Sequence, residues 1–250
     1  MRPSRYAILA FGFLVASVAP VRADDKEAQA LVAKAIKAHG GAESLAKFTG
    51  SVAKFKGKFH GMGQAIDMTG VVSAQGADKL KQDISLEDGG QALQIVTVLD
   101  GDKGWIVIGD NTMDLDKDQV AETREQAHSA WLTTLTPLTG KGLTLATTGE
   151  VLVNEKPALG VKVSAKDRRD VTLYFDKETG LLVKYESTVK DQGTGQEVTE
   201  EEFLSEYKEV QGTKQAMKLT TKRDGKLYAE AEITNYKLVD KLGADVFAKP

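Results

Sequence analysis

The chain has 250 residues, with 33 Lys and Arg against 36 Asp and Glu for a net charge of −3, and no cysteine. A mildly acidic balance with both signs interleaved argues against nucleic acid as a partner. The missing cysteine excludes disulfides, a thiol nucleophile and a cysteine-linked lipid anchor.

Met1 to Arg5 carries two arginines, an apolar run follows from Tyr6 to Ala19, and Pro20-Val21-Arg22-Ala23 closes with small residues at Val21 and Ala23. These are the parts of a secretory signal. The apolar run, about 14 residues, falls short of the ~20 that cross a bilayer as a helix. Cleavage is expected after Ala23, placing residues 24–250 in the periplasm or outside the cell as one domain without a lipid anchor. Removal of Arg2, Arg5 and Arg22, with no acid lost, takes the charge from −3 to −6.

Asp24 to Lys47 reads as helical. Leu31, Val32, Ala35, Ile36 and Leu45 recur at helical spacing, and Asp24-Asp25 sit where the helix dipole favours acids. His39-Gly40-Gly41 interrupts this helix, and a second turn or two follows over Ala42 to Phe48. From Ser51 the period falls to 2. Ala53, Phe55, Gly57 and Phe59 alternate with Lys54, Lys56 and Lys58; then Ile66, Met68, Gly70 and Val72; then Leu80, Ile84 and Leu86. Such alternation marks strands with one dry face.

Gln91 to Leu99 and Trp105 to Ile108 are apolar on both faces and demand a cover. Asp116 to Leu135 supplies a helical one, with Val120, Thr123, Ala127, Ala130, Trp131 and Leu135 on one stripe and Pro137 as its stop. Strands then resume around Leu143 to Leu152, Val161 and Val163, Val171 to Phe175, Leu181 to Val189, Phe203, Met217 and Leu219, and Ala229 to Ile233. Asp224-Gly225 is a two-residue hairpin signal. Roughly 11 strands at regular spacing predict a mainly β (α+β) domain built on an antiparallel sheet, sandwich or barrel.

Chemistry-bearing patterns are scarce. The three histidines, His39, His60 and His128, share no zinc spacing, and no Gly-x-Ser-x-Gly elbow accompanies His128-Ser129. Asp114, Asp116, Asp118 and Glu125 fit positions 1, 3, 5 and 12 of a calcium loop, but Gln119 stands where the sharp turn needs glycine, and the acids suit a helix start. Glu200-Glu201-Glu202 reads as a solvated strand edge. No catalytic residue, metal site or cofactor is expected.

What remains is apolar surface. Phe55, Phe59, Ile66, Met68, Leu93, Ile95, Trp105, Trp131, Leu135, Val171, Leu173, Phe175, Met217 and Leu219 are the candidates to line a cavity between a curved sheet and the helices. For each of them, packing into an ordinary core is the competing expectation.

Four segments carry a resemblance. They are Lys37-Ala38-His39-Gly40-Gly41, the hairpin from Leu173 to Lys184, Tyr207-Lys208-Glu209-Val210-Gln211-Gly212, and the ending from Asp245 to Pro250. Together they resemble the LolA/LolB-like superfamily of periplasmic lipoprotein carriers over most of residues 24–250. The resemblance implies an incomplete β-barrel capped by an N-terminal helix and a mid-chain helical lid. It further implies a monomeric carrier of the acyl chains of a lipid or lipoprotein, and leaves open a membrane-bound protein that loads or accepts them. In the best-known carriers an arginine inside the cavity bonds the lid; here Lys54, Lys56 and Lys58 occupy that region and alternate outward. Two other classes stay open: a periplasmic scaffold whose interior is filled by its own side chains, and a hydrolase with an unrecognised site.

Overall fold

The computed structural model describes residues 23–191 and 194–250, so the expected signal segment 1–22 lies outside it. Helix α1 (Ala23–Ala38) and the short α2 (Ala42–Ala46) lead into six strands: β1 (Gly50–Phe59), β2 (Ile66–Gln75), β3 (Lys79–Asp88), β4 (Gln91–Asp100), β5 (Lys103–Ile108) and β6 (Asn111–Asp114). Helix α3 (Lys117–Leu132) and a 3-10 turn (Thr136–Thr139) precede β7 (Leu143–Val153), β8 (Lys156–Ala165), β9 (Val171–Asp176), β10 (Leu182–Lys190) and β11 (Glu197–Ser205). The small β12 (Lys208–Val210) and β13 (Thr213–Gln215), then β14 (Lys218–Arg223), β15 (Lys226–Val239) and a final 3-10 turn (Ala244–Phe247) complete the chain. Among the described residues no helix is long and apolar enough to cross a membrane.

Thirteen strands form one curved antiparallel sheet in the order β6-β5-β4-β3-β2-β1-β15-β14-β11-β10-β9-β8-β7, with β12 and β13 as a separate hairpin. The ends of this order, β6 and β7, do not pair, so the architecture is an incomplete barrel with helices. The strand total exceeds the expected 11 because β6 is four exposed residues without alternation, and β12 and β13 are three residues each around Gln211-Gly212. Gln211 (φ 51) and Gly212 (φ 82) are both left-handed, as Asp224 (φ 46) and Gly225 (φ 75) are in the hairpin read from the sequence.

Directly opposed residues of an antiparallel pair share a face, so the registers sort every side chain. One face holds Phe55, Met68, Leu80, Leu99, Ile233, Leu173 and Val161 and is covered in part by the helices; it is the inner face. Helix α1 lies on β7 and β8, burying Ala28, Val32, Ala35 and Ile36 with Leu145, Val163 and Leu173. Helix α3 is a strap between the flanks, touching β4 and β5 on one side and β10 on the other.

The strap's polar anchors are explicit. Arg124 donates to the Gly101 carbonyl (2.7 Å) and pairs with Asp102, while Val120 and Ala127 pack on Leu80 and Leu99. On the far side Glu125 receives Arg168 Nη1 (3.0 Å) and the Arg169 backbone N–H (2.9 Å). Glu122 receives Arg169 Nη1 (2.8 Å) and the Lys190 N–H (2.8 Å). Asp116 caps the helix through a capping box with Gln119, and Asp118 lies exposed in its first turn. Asp114 pairs with Lys249 (2.9 Å) and Glu125 with Arg168. Among the described residues no group of three or more His, Asp or Glu is placed to hold a metal.

Helix α3 stops at Leu132, short of the expected Leu135. Leu135 instead takes a left-handed conformation (φ 65) that turns the chain into the Pro137-containing 3-10 turn, with its side chain buried among Leu132, Leu138 and Leu173. The doubly apolar β4–β5 pair is covered on both faces only at its Val98–Leu99 and Trp105 end, and by different segments; Leu93 and Ile108 at the other end stay exposed. Helix α3 covers the inner face, and on the outer face the C-terminal turn seats Phe247, 1% exposed, with Val98 and Trp105.

Three of the four resemblance-bearing segments meet at one junction, while the fourth, Asp245 to Pro250, carries Phe247 onto Val98 and Trp105. Gly40 (φ 116) has no room for a side chain, since a Cβ would stand 2.4 Å from the Gly212 carbonyl oxygen. The His39 carbonyl accepts from the Lys214 N–H (3.0 Å), and buried His39 holds the Ala35 carbonyl through Nδ1 (2.8 Å). Tyr207 packs edge-on against the His39 ring and donates its hydroxyl to the Leu182 carbonyl. Burial lowers the His39 pKa despite the Ala35 contact, so the ring is neutral here.

Replacing Arg169 with alanine leaves Glu122 buried and without its cation. Arg169→Ala is expected to lower unfolding stability by about 2 kcal/mol, read from urea unfolding followed by circular dichroism. A loss below about 0.5 kcal/mol would mean that the Arg169–Glu122 pair contributes no more to the strap than an exposed ion pair.

Candidate functional site

The helices reach only the flanks of the inner face. Between them, Phe55, Met68, Met217 and Ile233 form a buried cluster with Ala53, Phe59, Val72, Ile84, Leu86, Leu219, Ala229 and Ala231, and among the described residues no helical one belongs to it. The sequence builds this wall through alternation on β1, β2, β3, β14 and β15. It is smoothed at Gly70, where the Phe55 ring lies so close that a Cβ would meet it at 2.7 Å. Towards the β6 edge the wall continues through Ile95 to Leu93, 46% exposed, and Ile108, 37% exposed, all in inner register with Ile84 and Leu86. This is an apolar trough without a helical cover among the described residues; Val210 of the β12–β13 hairpin packs against it, and Phe55, Met68, Met217 and Ile233 close its middle with their own side chains.

The candidate residues separate into groups. Phe55, Phe59, Met68, Met217 and Leu219 meet in the strand-only cluster, and Ile66 is paired with Phe59 beside them. Leu93 and Ile95 extend it. Leu135, Val171, Leu173 and Phe175 lie instead in the fully packed cluster under α1 and the strap, with Trp131 half-buried against it. Trp105 faces the other way: it pairs with Val98 on the outer side of the sheet, under Phe247, because β5 places its odd-numbered Trp105 and Val107 opposite Ile106 and Ile108.

Two hollows accompany the wall. One of ≈840 Å³ opens beside α1 and the unpaired edge strand β7, lined by Val32, Ile36, Leu138, Leu143 and Leu145 with Gln29 and Lys37. The other, ≈410 Å³, lies over Gly57 among Lys56, Lys58, Lys218, Asp67, Glu230 and Glu232. The β1 lysines do point outward, with Lys58 on Asp67 (2.8 Å) and Lys56 on Glu232 (3.3 Å).

The acidic run on β11 is not an exposed edge. Strand β11 runs in the interior of the sheet between β10 and β14, so its alternation drives the three glutamates to opposite faces. Glu201 goes outward to Lys184 (3.0 Å), which also holds Glu186 (2.7 Å). Glu200 and Glu202 go inward. Glu200 pairs with Arg223 (2.9 Å), and Glu202 stands opposite Tyr185 and Thr221, accepting from the Tyr185 hydroxyl (3.1 Å). Burial, then the nearby Glu200 carboxylate, push the Glu202 carboxyl up to about 7, against the opposite effect of the Tyr185 bond. The β8–β9 loop arginines that hold the strap, Arg168 and Arg169, and Glu202 are the functional candidates that sequence reading passed over. A period-2 count along the glutamates was the one signal that pointed inward.

No protein-family model matches the chain, and no curated protein matches it by sequence. Its fold is similar to solved structures. An outer membrane lipoprotein-sorting protein domain from Vibrio parahaemolyticus superposes with a TM-score of 0.57 at 9% identity, over 90% of this chain and 97% of that one. A LolA superfamily protein from Nitrosomonas europaea gives 0.56 at 10% identity, over 89% and 97%. A DUF1329 family protein from Desulfovibrio piger gives 0.57 at 10%, over 88% and 97%. The expected LolA-like architecture is therefore the one observed.

A carboxyl whose folded pKa lies above its ordinary 4.5 binds more protons in the native than in the unfolded chain between about pH 4.5 and 7, so its ionisation erodes stability as pH rises through that window. Glu202→Gln removes the titrating group. The variant is expected to melt above the wild type at pH 8 and at nearly the same temperature at pH 4, by calorimetry. An equal offset at both values would show that Glu202 ionises as an ordinary surface acid.

Proposed function

We propose that this protein is a periplasmic carrier that holds the acyl chains of a lipid or lipoprotein against the strand-only stretch of its inner wall. The observation that carries the reading is the apolar cluster of Phe55, Met68, Met217 and Ile233, which continues without a helical cover to the exposed Leu93 and Ile108. An uncovered apolar patch of this kind marks a binding surface more often than a defect. Each methylene buried there gains ~0.8 kcal/mol, so a chain burying about 14 of them gains roughly 11 kcal/mol, from which several kcal/mol of association cost must be subtracted. The lipoprotein-sorting and LolA superfamily descriptions of the fold neighbours support the same class, and none of the three is described as an enzyme.

The alternative, a scaffold with a self-filled interior, draws on the cluster under α1 and the strap, where Leu135, Val171, Leu173 and Phe175 are at most 2% exposed. That packing occupies the flank; the central wall has no helix over it and runs out to the exposed Leu93 and Ile108, which favours the carrier.

Native mass spectrometry of protein exported by its host is expected to show co-purified lipid. Ile84→Lys places an ammonium on the half-buried wall, where a bound chain would desolvate it without a partner. This variant should lose the lipid and bind dodecanol at least tenfold more weakly, with an unchanged circular dichroism spectrum. Wild-type protein that carries no lipid and takes up no dodecanol would support the scaffold.

A further inference from the structure

The body of the inner wall carries few charges. Along β2, β1, β15, β14, β11 and β10 the inner positions are apolar, small or hydroxylated apart from Glu200, Glu202, Arg223 and, opposite Arg223 at the hairpin end, the exposed Lys226. Arg223 is committed to Glu200 (2.9 Å) and Asp191 (3.6 Å). Among the described residues Glu202 is left with the Tyr185 hydroxyl and no cation. Its neighbours along the wall are Leu204, which packs with the helix-covered cluster, and Leu219, which belongs to the strand-only cluster. A lone carboxylate therefore stands at the border of the trough.

We infer that Glu202 sets the head-group preference of the carrier: the bound chain ends in an ammonium group that pairs with Glu202, and chains ending in an anion are disfavoured. The inference rests on the reading of the trough as an acyl-chain site. An ammonium supplies the charge-assisted partner that Glu202 lacks. A carboxylate or phosphate head would add a further anion beside Glu200 and Glu202 where water is scarce. Of the other charged or titratable groups facing this side, Tyr185 from β10 donates to Glu202, Arg223 from β14 is held by Glu200 and Asp191, and Lys226 from β15 lies exposed at the hairpin end opposite Arg223. On the strap, Glu122 and Glu125 are held by Arg169 and Arg168. A carboxyl titrating near 7 passes from about one-tenth to about nine-tenths ionised between pH 6 and 8, so ammonium binding strengthens up to about tenfold over that range.

The test is isothermal titration of the exported protein, below micelle-forming concentrations, with dodecylammonium, dodecanol and dodecanoate. At pH 8 dodecylammonium is expected to bind about tenfold tighter than dodecanol, with dodecanoate weakest. Glu202→Gln should bring dodecylammonium to the dodecanol level, remove its dependence on pH and leave dodecanol unchanged. Glu202→Asp should keep the preference. Dodecanoate binding as tightly as dodecylammonium, or an ammonium preference that survives Glu202→Gln, would overturn the inference while the carrier reading stands on dodecanol binding. Failure of all three chains to bind would overturn both.

Discussion

An antiparallel sheet that is apolar on its concave side and does not close on itself must find something to cover that side. Thirteen strands present more inner surface than two helices of 16 residues can reach. The chain spends α1 on the β7–β8 flank and draws α3 across as a strap, and the middle is left to strand side chains alone. The other features of the molecule follow from how this deficit is distributed. Where a helix lies, the interior is filled; where none lies, the wall stays partly wet and apolar.

The strap is held by charge at both ends. Arg124 reaches the β4–β5 turn, and the two arginines of the β8–β9 loop reach Glu122 and Glu125. A helix of modest apolar content is seated by these pairs as well as by packing, and removing either partner would leave a buried charge uncompensated. One guanidinium comes from the strap itself, Arg124, and two come from the β8–β9 loop to meet the strap's carboxylates.

The outer face shows the same economy with charge. Lys184 lies over the Tyr174 ring (4.5 Å) and between Glu186 and Glu201, which neutralises the outward member of the acidic run. Arg223 neutralises Glu200 on the inward side. Alternation alone therefore distributes three consecutive glutamates over two environments and leaves one of them without a cation among the described residues.

Sequence by itself determined the strands of the central wall, because period-2 alternation in Ala53 to Phe59 and Ile66 to Val72 states which residues share a face. It determined the hairpins at Asp224-Gly225 and Asp176 to Gly180, because their turns need particular residues. It also marked the segments around His39, Tyr207 and Leu182, although only the folded chain reveals that these form one structural junction. Tertiary structure alone decided which face of β5 Trp105 takes, since both faces of that strand are apolar and periodicity cannot choose between them. It decided that Leu135 leaves the helix, because a left-handed residue before Pro137 breaks a stripe that spacing would have continued. It decided the partners of Glu122, Glu125 and Glu202, because these pairings join residues 17 to 68 positions apart. Local pattern encodes which side of a strand a residue occupies; which charge meets it across the sheet is fixed only when distant strands and the strap come together.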